Sequence, residues 1–215
     1  MTLRRHFGSD LTLCSILPFI QADREVPKAN LTMAISLMLV AFVVSLVGAQ
    51  VPHWGSCPEP DVQASFDVKL FMGRWFEIGR LPTQFEKGCC METNFTLRTN
   101  NSFRVVSSQM LKGARRTIEG IGVIEDQKHP AKLGISFSYV LPYSPYWILS
   151  TDYVNTALVY SCTDVLRVFH LDFAWILART RTLPESAVEM AKETFASKNI
   201  DVSRMIATKQ TGCDE

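Results

Sequence analysis

Cysteine thiols and histidine imidazoles are the side chains here best suited to chemistry, and their spacing limits what they can do. The cysteines are Cys14, Cys57, Cys89, Cys90, Cys162 and Cys213. A cysteine acts as a nucleophile only as an accessible thiolate, usually with a base or a cation beside it. The histidines are scattered at His6, His53, His129 and His170, and no Cys-x-x-Cys occurs. That spacing argues against a zinc site. Of three Asn-x-Ser/Thr sequons, Asn30 lies near the N-terminus, and those at Asn94 and Asn100 are the acceptors expected for N-glycosylation in an exported chain. The net charge is +1, with no basic block, so nothing in the charge pattern points to nucleic acid.

The elements that must position these side chains begin after a distinctive N-terminus. Met33 to Val47 is a sustained apolar run of about fifteen residues, short for a membrane span of about 20. Val47-Gly48-Ala49 follows, with small residues where a signal peptidase cuts after Ala49. Residues 1–49 are therefore expected to be an N-terminal extension plus a secretory signal peptide, removed on export, with Met33 the working start. Residues 50–215 then form a single domain of ordinary size. Five cysteines remain in a chain bound for an oxidising compartment. Two disulfides and one free thiol is the simplest count, and the sequence alone does not give the pairing.

From Trp75 the chain alternates strand and turn. The expected strands are Trp75–Leu81, a run through Asn94–Arg98, Ser102–Met110, Thr117–Ile124, Lys132–Leu141, Tyr146–Ser150, Ala157–Cys162 and Leu171–Arg179. Gly120 and Gly122 are read as a bend or bulge. Eight short strands at even spacing, with no interleaved helix, predict an all-β fold, an antiparallel up-and-down β-barrel. A barrel of that size encloses room for one small ligand. One C-terminal helix follows. Pro184 suits its first position and Asn199 its stop, and Val188, Ala191 and Phe195 form a stripe that packs on the barrel wall. A small extra strand is expected over Met205–Thr208.

Three motif pieces sharpen this. Gly73-Arg74-Trp75 opens the first strand, Thr151-Asp152-Tyr153 follows the sixth, and Arg179 ends Phe173-Ala174-Trp175-Ile176-Leu177-Ala178-Arg179. In that order and spacing they resemble the lipocalin family. The resemblance implies a calyx whose closed end holds Trp75 with Arg179 across its face, and Thr151, Asp152 and Tyr153 in the loop beside them. All are assigned to architecture, not to ligand binding. It also implies the disulfides Cys57–Cys162 and Cys90–Cys213, which leaves Cys89 over, and it favours Asn94 as the glycosylated sequon.

Function is expected to reside in the cup. Alternate positions suggest Phe95, Phe137, Tyr139, Tyr146 and Phe173 as inward residues, and the resemblance adds Trp175. An apolar, aromatic-lined pocket suits fatty acids, steroids or tetrapyrroles. The resemblance implies arachidonate, progesterone and bilins as such ligands. The expected protein is a secreted carrier with no cofactor, no metal and no chemistry of its own. The alternative is a thiol-dependent prostaglandin isomerase, as in some lipocalins, with Cys89 the candidate nucleophile and no histidine partner evident. Two apolar loops, near Leu141 and near Val165, are expected at the open mouth. There they would either fold over the pocket or dock on a lipoprotein or membrane surface.

Overall fold

The computed structural model describes residues 51–213, apart from 84, 99–100 and 139. The expected signal peptide, Asn100 and Tyr139 lie outside the described residues. Eight antiparallel strands close into a barrel: β2 (Gly73–Arg80), β3 (Cys89–Leu97), β4 (Ser102–Leu111), β5 (Ala114–Ile124), β6 (Lys132–Ser136), β7 (Ser144–Thr151), β8 (Thr156–Val165) and β9 (Phe169–Ala178). Each pairs with its neighbour in sequence, and β9 returns to β2. A leading strand, β1 (Val51–Trp54), lies on β9, and a short β10 (Ile206–Ala207) lies on β2. Helix α1 (Val68–Phe71) precedes β2, and α2 (Glu185–Ser197) follows β9.

The strands alternate two different burial regimes. Inner rings near the start of β2 pack into a floor of Phe71, Trp75, Phe95, Phe103, Leu133 and Ile148, all buried. On the outer face of β7 to β9, Leu149, Leu158, Tyr160, Ala174 and Ile176 are buried together with Ala191 and Phe195 of α2. The predicted stripe of α2 is thus the face that meets the wall. Pro184 occupies the cap position before the first turn, and Asn199 takes φ +60° just beyond the end, which asparagine tolerates better than most residues.

Two strand readings need correction. β6 stops at Ser136, not Leu141, because the Ser136 hydroxyl donates to the Ser138 carbonyl at 2.7 Å, with the Leu141 carbonyl a second acceptor within reach, and turns the chain out of the ladder. Gly120 and Gly122 mark no bulge, since β5 pairs with β4 without a register shift. Instead they make room for rings. A Cβ on Gly122 would lie 2.0 Å from the Phe103 ring, and one on Gly120 would lie 2.7 Å from Phe137.

Direct pairing of β2 with β3 covers only Gly73–Phe76. Above that the C-terminal tail fills the wall. β10 pairs with Gly79 and Arg80, the Cys90 N–H donates to the Lys209 carbonyl at 2.8 Å, and Gln210 Nε2 donates to the Glu77 and Met91 carbonyls. Cys90–Cys213 fastens the tail there, and Cys57–Cys162 fastens the leading arm to β8. The arm has a second attachment. His53 on β1 and His170 on β9 both approach Asp172, whose other oxygen accepts from the Tyr160 hydroxyl.

Candidate functional site in the barrel

The closed end is built as the motif residues predict. The Trp75 indole N–H donates to the Phe71 carbonyl at 2.8 Å, and the Arg179 guanidinium lies 3.7 Å from the centre of its ring. Arg179 also donates to the carbonyls of Tyr153, Arg74, Leu70, Phe71 and Met72, closing the last turn of α1. Gly73, at φ +94°, adopts a backbone that a side chain would strain, and a Cβ there would meet Arg179 at 3.3 Å. Thr151 and Asp152 tie the β7–β8 turn through the Thr156 carbonyl and N–H, and Tyr153 stacks on Phe66.

Above this plug the inner face changes character. Trp175 and Phe173 on β9 are only half-buried, while their outward neighbours Asp172, Ala174 and Ile176 are buried. Tyr146 stands 6.0 Å from both Trp175 and Phe95, and Phe173 stacks on Trp175. Of the expected pocket residues, these four form one run of rings. Phe95 belongs to the packed floor, and Phe137 lies over Gly120 at the rim, half-exposed.

A polar cluster that sequence reasoning missed adjoins those rings. Arg80, the cross-strand partner of Trp175, is only 6% exposed. Its Nη2 donates to the Glu86 backbone carbonyl, and its Nη1 is 3.6 Å from the Glu77 carboxyl. The Glu86 carboxylate accepts from Trp175 Nε1 at 3.2 Å and from the Thr83 hydroxyl at 3.2 Å. The Thr208 hydroxyl donates to Glu77. Burial, then the nearby Glu86 charge, pushes the Glu77 carboxyl up to about 8 against the opposing help of Thr208 and Arg80. Burial likewise raises Glu86, and burial followed by the two carboxylates raises the Tyr146 phenol. Strict alternation would put Glu77 and Arg80 on opposite faces. A bulge between Glu77 and Gly79 puts both inside, and no residue type at that point announces it.

Comparison with known proteins fits this geometry. A family model described as a lipocalin-like domain matches residues 66–210. The chain belongs to the lipocalin family. Apolipoprotein D of Oryctolagus cuniculus is 41% identical over 185 residues, covering 86% of this chain and 98% of that protein. Apolipoprotein D of Bos taurus is 42% identical over 183 residues, covering 83% and 97%. Among solved structures, insecticyanin from the tobacco hornworm Manduca sexta superposes with a TM-score of 0.68 at 27% identity, over 76% of this chain and 90% of that one.

In this lipocalin the predicted disulfides are both present and Cys89 is the free thiol among the described residues. Its Sγ lies 3.8 Å from the Met110 carbonyl. The described histidines bond elsewhere, His53 to Asp172, His129 to Asp126 and His170 to Gly55. The apolar loops lie where expected, at the end of the barrel opposite Trp75. Of the apolar run that starts at Val165, Leu166 and Val168 are exposed, while Val165 itself is partly buried at the end of β8. Leu166 and Arg167 both take positive φ, as a tight hairpin with the right-handed twist requires.

Proposed function

We propose that this lipocalin is a secreted carrier that holds one small hydrophobic molecule in its barrel and performs no reaction on it. The observation that carries this reading is the inverted burial on β9. In a filled barrel the inward side chains are the most buried, whereas here Phe173 and Trp175 are less buried than their outward neighbours. Rings on a sheltered, partly accessible face are what an apolar guest displaces water from. Fatty acids such as arachidonate, steroids such as progesterone, and bilins fit that lining. Cys89 sits against the wall without a base, which disfavours the isomerase alternative. The apolar run before residue 50, the two disulfides and the exposed outer position of Asn94 support export and glycosylation. Titration with arachidonate and progesterone should quench tryptophan emission, and Trp175→Phe should remove most of the signal. A flat response to fatty acids, steroids and bilins alike would refute the reading.

The mouth supports a second element of the proposal, docking on a lipoprotein or membrane surface. Val140, Leu141 and Leu166 are 90%, 67% and 88% exposed, and Trp54, Phe85 and Val168 are exposed at the same end. Leu166 is held at the tip of a turn in a backbone conformation unfavourable to it by about 1 kcal/mol. Leu166→Gly should therefore keep or raise thermal stability while reducing binding to phosphatidylcholine liposomes, and Leu141→Ser should reduce it further. Binding unchanged in both variants would eliminate docking.

A further inference from the structure

Three donors, from the end of β2, the segment just after it and β9, converge on one carboxylate inside the barrel. Arg80 Nε on β2 is 3.4 Å from Glu86 Oε2, Trp175 Nε1 on β9 is 3.2 Å from it, and the Thr83 hydroxyl is 3.2 Å from it. The fit is loose. Charge-assisted bonds usually run about 2.7–2.9 Å, and Arg80 Nε, though buried, makes no hydrogen bond at all. Nor is the carboxylate needed to hold its loop, because Arg80 Nη2 already binds the Glu86 backbone carbonyl. A guanidinium Nε–H, an indole N–H and a hydroxyl are together a receptor for a carboxylate. Directly beside it run the rings of Trp175, Tyr146 and Phe173.

We propose that Arg80, Thr83 and Trp175 form the head-group subsite for an amphipathic carboxylic acid, and that Glu86 occupies it as an internal competitor until the ligand's own carboxylate displaces it. The inference rests on the carrier reading and adds the ligand's polarity and orientation. The head lies at Arg80, and the tail lies along the aromatic run. A free carboxylate can settle into all three donors, whereas Glu86 is restrained by its backbone. Glu86 lies between β2 and β3 at the open end, so its displacement leaves the closed-end plug untouched. Glu77 offers no competing anion at neutral pH, since it keeps its proton up to about 8.

Calorimetric titration of the full disulfide-bonded protein with oleate, oleyl alcohol and progesterone tests this. Glu86→Gln keeps the shape and removes the charge. It should tighten oleate about tenfold and move oleyl alcohol and progesterone by less than about twofold. Arg80→Gln should weaken oleate about tenfold and spare the alcohol. If Arg80→Gln does not fold, the Glu86 variant decides alone. Equal responses of acid and alcohol to Glu86→Gln would overturn the subsite while leaving a carrier in place. Failure of all three probes to bind folded wild-type protein would overturn the carrier reading and the subsite with it.

Discussion

Single residues inside this barrel are set by desolvation as much as by contact. Glu77 is the clearest case, an acid held at 4% exposure with its pKa pushed to about 8. Its folded value exceeds the unfolded 4.5, so the folded state retains the proton more tightly. The stability this contributes is complete below about 4.5 and is lost as pH rises through about 8. Glu86 shifts in the same direction and Arg80 opposes both. Urea midpoints should therefore fall from mildly acidic to mildly alkaline pH, and Glu77→Gln should flatten the fall while still accepting from Thr208. A wild-type profile that is level across that window would contradict the assignment. Arg179 shows the opposite design: five hydrogen bonds to five backbone carbonyls and an indole face compensate most of its buried charge, with Asp152 the nearby carboxylate that helps.

At the scale of elements, α2 depends on its partner surface. Its thirteen residues carry one acidic side chain in the first turn and no side-chain cap, so the helix owes its stability to packing on β7–β9. Phe195 is fully buried at that contact. Phe195→Ala should cost about 3–5 kcal/mol in urea unfolding, through lost burial and the cavity left behind. A loss below about 1 kcal/mol would mean the helix is peripheral to the fold. β6 teaches a different lesson. Its apolar alternation extends past the last paired residue, and a serine hydroxyl competing for backbone carbonyls ends the strand first.

For the whole molecule, the wall is continuous only with the tail in place. Between the upper parts of β2 and β3 the closing strand is residues 206–210, fixed by a disulfide spanning 123 residues of sequence. Replacing both Cys90 and Cys213 by serine should cost about 2–5 kcal/mol. It should also weaken hydrophobic ligands, because the Thr208–Glu77 and Gln210–Met91 bonds that seal the wall loosen with it. Thermal melting combined with the oleate titration measures both. A variant that melts lower yet binds unchanged would show that the tail stabilises the barrel without sealing it.

The sequence by itself determined the barrel, because period-two alternation, turn residues and the Gly73–Trp75, Thr151–Tyr153 and Arg179 pieces are local signals that each survive in one stretch of chain. It also determined the face of α2 that is buried; the two disulfides followed from the family resemblance, not from the cysteine spacing. Tertiary structure decided which rings are floor and which are lining. Phe95 and Trp175 sit on equally regular strands and differ only in their height above the plug. It decided that two glycines serve neighbouring rings, and which members of the apolar run from Val165 are exposed at the mouth. Above all it decided the polar cluster. Glu77, Arg80 and Glu86 lie within ten residues, yet one bulge and one loop turn them together and one strand pairing brings Trp175 to them, and none of these has a local signature.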